Sequence, residues 1–201
     1  MRSLLAGLLV LALVLAAVVV RTREPAPRGA DVPAGEFSAA RAGAVLAEIL
    51  GPGLPHPVGS GENARVRARI AAVLARLGYR VEEQDAVGCH PAGACGRVRN
   101  LIARLPGRVR GGALLVATHY DSVAAGPGAG DDLAAVAATL EVARALRAGP
   151  PPRRTIVFLI DDGEEAGLLG AHAFVDRHPL AGQVAAVLNA ESRGTSGPSL
   201  M

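Results

Sequence analysis

The sequence contains no lysine and no tryptophan, so all 21 of its basic residues are arginine. Aromatic residues make up only 2% of the 201 positions, and a core must therefore be filled by Leu, Val and Ala. Half of the chain is hydrophobic, and the length suffices for one ordinary domain plus a tail. The net charge is only +3 and no aromatics interleave the arginines. Arg65, Arg67 and Arg69 in "ARVRARI" lie two apart, which scatters them around a helix rather than forming a stripe. No nucleic-acid partner is expected. A nucleotide loop is also lacking: "GPGAG" departs from G-x-G-x-x-G and carries Pro127, and Asp131 and Asp132 stand where an anion would have to sit. There are just two cysteines, Cys89 and Cys95, in the Gly/Pro stretch "GCHPAGACG". A short disulfide, two free thiols and metal ligation all remain open there, the last with only His90 nearby. No internal repeat is present.

What is present begins at the N-terminus. Residues 3–20, "SLLAGLLVLALVLAAVVV", form an uncharged apolar run of eighteen residues. As a helix it would be roughly 27 Å long, close to the thickness of a bilayer core. Its end carries no A-x-A-like cleavage site, so residues 1–21 read as a transmembrane signal anchor that stays attached. The alternative is a signal peptide, cleaved to give a secreted protein. Arg2 before the run and Arg21 and Arg23 after it are too balanced to orient the segment by charge alone. The domain that follows is expected on the exported, extracytoplasmic side.

Residues 22–36 are rich in Pro, Gly and Ala without a hydrophobic period and read as a linker. The pattern then predicts a helix over 38–50, a second over about 62–77 closed by Gly78, and a strand over 79–87. From Val98 onward, strands over 98–105, 112–119, 154–160 and 183–191 are interspersed with helices over 132–146 and 168–178. Such alternation predicts an α/β, three-layer sandwich around a central mixed, largely parallel sheet, preceded by the N-terminal apolar helix. In sheets of this kind, ligands gather at the carboxyl ends of strands.

Three predicted strands end in metal-ligand side chains. "LLVATHYD" ends with His119 and Asp121, "TIVFLIDDGEE" with Glu164 and Glu165, and "AAVLNAE" with Glu191. Asp131 and Asp132 open the helix between the first two. If the strands are parallel, these ends converge on one rim, and one imidazole among several carboxylates suits a pair of zinc ions. Clustered carboxylates repel one another unless a cation sits among them. Ordinary alternatives exist for individual residues. A helix start favours one Asp as its N-cap, and Asp161 and Asp162 read as loop residues facing solvent.

The segments "THYDSVAAGPGAGDDLAAVAATLE", "DDGEEAGLLGA" and "VLNAESRGTSGP" resemble the metal-site segments of metallopeptidase family twenty-eight, in its membrane-anchored branch. The resemblance covers residues 98–201, with weaker echoes over 56–79, and makes residues 37–201 a zinc peptidase domain. It implies a zinc aminopeptidase-like fold with two zinc ions. His119 and Glu191 would bind the first, Glu165 the second, and Asp131 would bridge both. Asp121 would orient His119, and Glu164 would act as general base. The substrate implied is a peptide with a free N-terminus. The same scaffold also carries glutaminyl cyclisation with one zinc, and non-enzymatic peptidase-like ectodomains. The family's last zinc ligand is a histidine well beyond Glu191. The domain is therefore read as C-terminally incomplete, part of a longer protein, and residues 1–201 alone are expected to be inactive. Neither His172 nor His178 replaces that ligand on the family pattern.

Overall fold

The computed structural model describes residues 2–21 and 26–192, with side chains from Leu5 onward. The chain divides into two units: Met1–Pro27 with Arg193–Met201, and Arg28–Ser192.

In the first unit, Arg2–Arg21 forms helix α1, which no proline interrupts. From residue 5 to residue 21 it is exposed on every face. No helix among the described residues is long and apolar enough to cross a membrane. The part of α1 with described side chains, residues 5–21, is roughly 26 Å long against a hydrocarbon core of about 30 Å. The apolar helix is present, but the expected span is not met among these residues.

The second unit is built on five strands: β1 (Val81–Cys89), β2 (Cys95–Leu105), β3 (Ala113–His119), β4 (Ile156–Asp161) and β5 (Val184–Asn189). Their order is β1-β2-β4-β3-β5. β2 pairs antiparallel with both neighbours, while β3 pairs parallel with β4 and with β5. Only β2 therefore runs against the others, and the carboxyl ends of β3, β4 and β5 share one rim. The β1–β2 hairpin ends at Cys89 and Cys95, which pair across the ladder with Cα atoms 4.1 Å apart and form a disulfide. Of the readings left open for these cysteines, this is the one found.

Four helices cover the sheet: α2 (Ala39–Leu50), α3 (Gly61–Arg76), α4 (Ala134–Ala148) and α5 (Leu169–Arg177). Strand periodicity sorts β4 onto two cores. Ile156, Phe158 and Ile160 pack with Ile49 of α2, Ile70 of α3 and Leu140 of α4. Val157 and Leu159 face the other way, against Phe174 of α5. This is the expected three-layer sandwich. The helix starts are capped: Ser38 Oγ accepts from Arg41 N at 3.1 Å and Ser60 Oγ from Asn63 N at 3.0 Å.

Of residues 22–36, 22–25 lie outside the described residues. The stretch from Arg28 onward is held to the second unit by two arginines. Arg41 donates to the carbonyls of Ala30, Val32 and Glu36, and Arg144 to those of Ala34 and Glu36. Both guanidinium groups also pair with Glu141, which is only 1% exposed. β5 forms one edge of the sheet and is exposed from Ala185 to Asn189.

A candidate metal centre at the carboxyl rim

His119 closes β3 and is 2% exposed. Its Nδ1 lies 3.1 Å from the Asp121 carbonyl oxygen and 3.3 Å from the Asp121 carboxylate, so Nδ1 carries a hydrogen and Nε2 is the nitrogen left for a metal or a proton. That Nε2 is buried without a hydrogen-bond partner. Around it stand Asp131 Oδ1 at 3.3 Å, Glu191 Oε1 at 3.5 Å and Glu164 Oε2 at 3.9 Å. The ligand atoms of His119, Asp131 and Glu191 all lie within 4.8 Å of one another. An unpartnered imidazole nitrogen ringed by carboxylate oxygens is the donor set that a zinc ion accepts. Burial disfavours the charged imidazole. The hydrogen bond and charge of Asp121, with the charges of Asp132 and Glu191, outweigh it and raise His119 to about 10. Without a metal, the site holds a proton.

Asp131 and Asp132 sit in an irregular turn over Ala129–Leu133, both with non-helical backbone and joined by a cis peptide. Helix α4 starts only at Ala134, and its N-cap position is Leu133. Neither aspartate caps it, contrary to the reading of one as an N-cap. Asp131 turns out to the rim, whereas Asp132 is fully buried. Asp132 accepts a hydrogen bond from Thr118 Oγ1 and one from His119 N at 3.3 Å. Burial pushes Asp132 up to about 7 against the opposing pull of Thr118 and His119. The second aspartate thus braces the end of β3.

Glu164 and Glu165 follow β4 through Asp161, Asp162 and Gly163, whose φ of 75° lies in the region that favours glycine. Both backbone N–H groups are held by Asp121, Glu164 N by Oδ1 at 3.0 Å and Glu165 N by Oδ2 at 3.2 Å. One buried carboxylate therefore fixes the imidazole and the turn that carries both glutamates. Glu164 is half-buried and borders the triad. Burial raises its carboxyl, which His119 lowers and Glu191 raises further. Glu165 is exposed and stands outside the triad. Its carboxyl is also raised, by burial and then by the charge of Asp131.

Asp161 and Asp162 do not face solvent as expected; they are 5% and 2% exposed. Asp162 accepts from Asn63 Nδ2 at 2.9 Å and from Arg99 N at 3.1 Å, which ties α3 and β2 to the turn. Asn100 extends this brace, its Oδ1 accepting from Asp162 N at 3.1 Å and its Nδ2 donating to Gly170 O at 2.8 Å. A Cβ on Gly170 would lie 2.4 Å from Asp162 O, so only glycine allows α5 this close. Asp161 keeps a buried oxygen, Oδ1, without a partner.

His56 was not a candidate from sequence. It is fully buried beneath the loop leading to Asp131, with its N donating to Ser122 Oγ at 2.8 Å and its carbonyl accepting from Ser122 N at 3.3 Å. Its place in the turn-rich "GPGLPHPVGS" is the one local feature that could have pointed to it. His172 meets His90 edge-on at 5.7 Å, and His178 stacks on Phe174 and lies 3.0 Å from Glu82, so neither joins the triad.

The family Peptidase family M28 matches residues 100–201. Endoplasmic reticulum metallopeptidase 1 of Mus musculus is 38% identical over 106 residues, 52% of this chain and 12% of that protein. Vacuolar membrane protease of Candida albicans (strain WO-1) is 36% identical over 150 residues, 73% of this chain and 18% of that protein. The chain thus spans less than a fifth of the length of either relative. Among solved structures, a glutaminyl cyclase from an Acidobacteriales bacterium aligns with a TM-score of 0.66 and 26% identity, over 84% of this chain and 62% of that one. A Zn-dependent exopeptidase from Parabacteroides distasonis shares the fold with a TM-score of 0.65 and 21% identity, over 82% and 64% of the two chains.

Proposed function

Because the chain belongs to peptidase family M28, we propose that its metal centre hydrolyses peptide bonds, as an aminopeptidase-type exopeptidase using two zinc ions. The observation that carries this reading is the buried, unpartnered Nε2 of His119 among Asp131, Glu164 and Glu191. In this reading His119, Asp131 and Glu191 hold one ion, and Asp131 and Glu165 contribute to a second. Bound zinc would supply Lewis acidity, polarising the peptide carbonyl and acidifying water. Asp121 keeps the His119 hydrogen on Nδ1 and the Glu164 backbone in place. Glu164 takes a proton from the attacking water; the water oxygen bonds to the carbonyl carbon, and the C–N bond breaks. Glu164 then hands the proton to the leaving amine. Its raised pKa suits a group that must both accept and release that proton.

The names of the relatives include an endoplasmic reticulum and a vacuolar membrane protein, which supports membrane association here, with α1 as the segment that enters the lipid. The Cys89–Cys95 disulfide favours an oxidising, extracytoplasmic side for the second unit.

In the full-length protein, Glu164→Gln is expected to abolish leucine-anilide hydrolysis with zinc content nearly unchanged, whereas Glu165→Gln lowers zinc content. Equal loss of metal in both variants would contradict this division of labour. The fold likeness to a glutaminyl cyclase favours a second reading, intramolecular acyl transfer with one zinc. Cyclisation of glutaminyl peptides, with one zinc per chain and no anilide hydrolysis, would select it.

A further inference from the structure

The end of the sheet opposite the metal centre is rimmed by arginine. Arg80 precedes β1, Arg104 stands at the end of β2, Arg108 and Arg110 lie in the loop to β3, and Arg153 and Arg154 precede β4. Because β2 alone runs against the others, its carboxyl end joins the amino ends of β1, β3 and β4 on this rim. Two loops are zipped together there. Arg108 N donates to Pro152 O and Val109 N to Arg153 O, each at 2.9 Å, and Gly107 N to Thr155 Oγ1 at 3.2 Å. A Cβ on Gly107 would lie 2.3 Å from the Arg154 carbonyl carbon, so glycine lets the loops meet. All six arginines are exposed, and none pairs with a carboxylate among the described residues. Every arginine of α2 and α3 does, as do Arg97 and Arg99 of β2. Residues 104–112 and 147–155 contain no Asp or Glu. Arg80, Arg104 and Thr155 line a hollow of about 540 Å³, and the one carboxylate lining it, Glu82, lies 3.0 Å from His178 Nε2. Between Arg108 and Arg110 stands Val109, 49% exposed.

We propose that this rim is a docking surface for a bilayer containing anionic phospholipids, with the six arginines on the phosphate groups and Val109 at the boundary between headgroups and acyl chains. Cations gathered without counter-ions repel one another, and an anionic surface relieves that cost for all of them together. A guanidinium fits a phosphate through two parallel hydrogen bonds, and each basic side chain near an anionic membrane adds attraction. An exposed valine between two arginines suits an interface that offers phosphate and hydrocarbon side by side. A nucleic-acid backbone offers the phosphate without the hydrocarbon. The metal centre lies at the other end of the seven-residue β3, roughly 20 Å away, so docking by this rim turns the metal rim away from the bilayer. The surface rests neither on the peptidase reading nor on α1.

The test is vesicle co-sedimentation of the full chain carrying Leu9→Asp and Leu13→Asp, so that the apolar helix does not mask the readout. Vesicles of phosphatidylcholine alone are compared with vesicles containing about one-third phosphatidylglycerol, which should bind the protein about ten-fold more tightly or better. Adding Arg80→Gln, Arg104→Gln, Arg110→Gln and Arg153→Gln, at residues that donate no hydrogen bond to another described residue, should bring the two affinities within about two-fold. A matched loss of charge at exposed, ion-paired arginines (Arg28, Arg65, Arg76 and Arg97, each to Gln) should leave the preference in place. Equal binding to both vesicles before the rim is changed, a preference that survives the rim substitutions, or one that the matched set abolishes equally would each overturn the docking surface. So would a DNA duplex that binds the protein where phosphatidylglycerol vesicles do not, since it would assign the rim to nucleic acid.

Discussion

Asp121 ties the rim together, reaching His119 Nδ1 and the N–H groups of Glu164 and Glu165. Groups that orient metal ligands typically contribute 10–100-fold to metal affinity. Asp121→Ala is therefore expected to weaken zinc binding by about that factor, read by competition with a chromophoric chelator. An unchanged affinity would mean that packing alone holds the imidazole. The ligand-type residues were legible in the sequence because they stand at strand ends, where a parallel sheet gathers them. The residues that brace them were not. Asp132 is buried by a partner 14 positions back, Thr118, and Asp162 by Asn63, 99 positions away. Nothing local separates such an aspartate from a solvated one, which is why Asp161 and Asp162 read as surface.

Element positions were legible wherever a local cause operates. The helices read over 38–50 and about 62–77 are α2 and α3, and the runs over 98–105 and 154–160 are strands because their alternate side chains feed two cores. The strand order was not legible, since pairing β2 with β4 depends on contacts some 55 residues apart in the chain (Leu101 with Ile160 is 59). The segment that leads into α2 reads as loose, yet carbonyl after carbonyl along it is held by Arg41 and Arg144, both anchored on Glu141. Burial raises the Glu141 carboxyl, but hydrogen bonds from Arg144, Arg41 and Ser38 N outweigh this and leave its pKa lowered. A lowered folded pKa gives stability that is present above the ordinary glutamate range and lost as pH falls through the lowered value. Glu141→Gln is accordingly expected to cost about 2 kcal/mol near neutral pH, less than a wholly buried pair because both arginines reach solvent. Trypsin should also cut faster at Arg28. In thermal melts the gap between wild type and variant should narrow in acid; a gap that stays constant below the glutamate range would show that the charge is not what holds the segment.

At the scale of the molecule, α1 stands out because its large apolar side chains are exposed from residue 5 onward. Wild-type protein is expected to sediment with phosphatidylcholine vesicles, and the double substitution Leu9→Asp, Leu13→Asp should leave most of it in the supernatant. Equal sedimentation of both would remove α1 as the lipid contact. The second unit has its own loosely covered element in β5, which hangs on β3 by its backbone and is exposed from Ala185 onward. Glu191 follows directly after it, with Ala190 N still bonded to Ala117 O at 2.9 Å. Strand and carboxylate therefore leave together: each opening of β5 carries Glu191 away from His119, and on the proposed reading an ion held between them would oppose that opening. This is thermodynamic linkage, in which zinc protects the edge of the sheet by RT ln(1 + [Zn]/Kd). Zinc at about a hundred times its Kd should slow amide hydrogen exchange across Val184–Asn189 by about a hundred-fold where exchange proceeds through that opening. The central strand β4, buried on both faces, should exchange only with global unfolding.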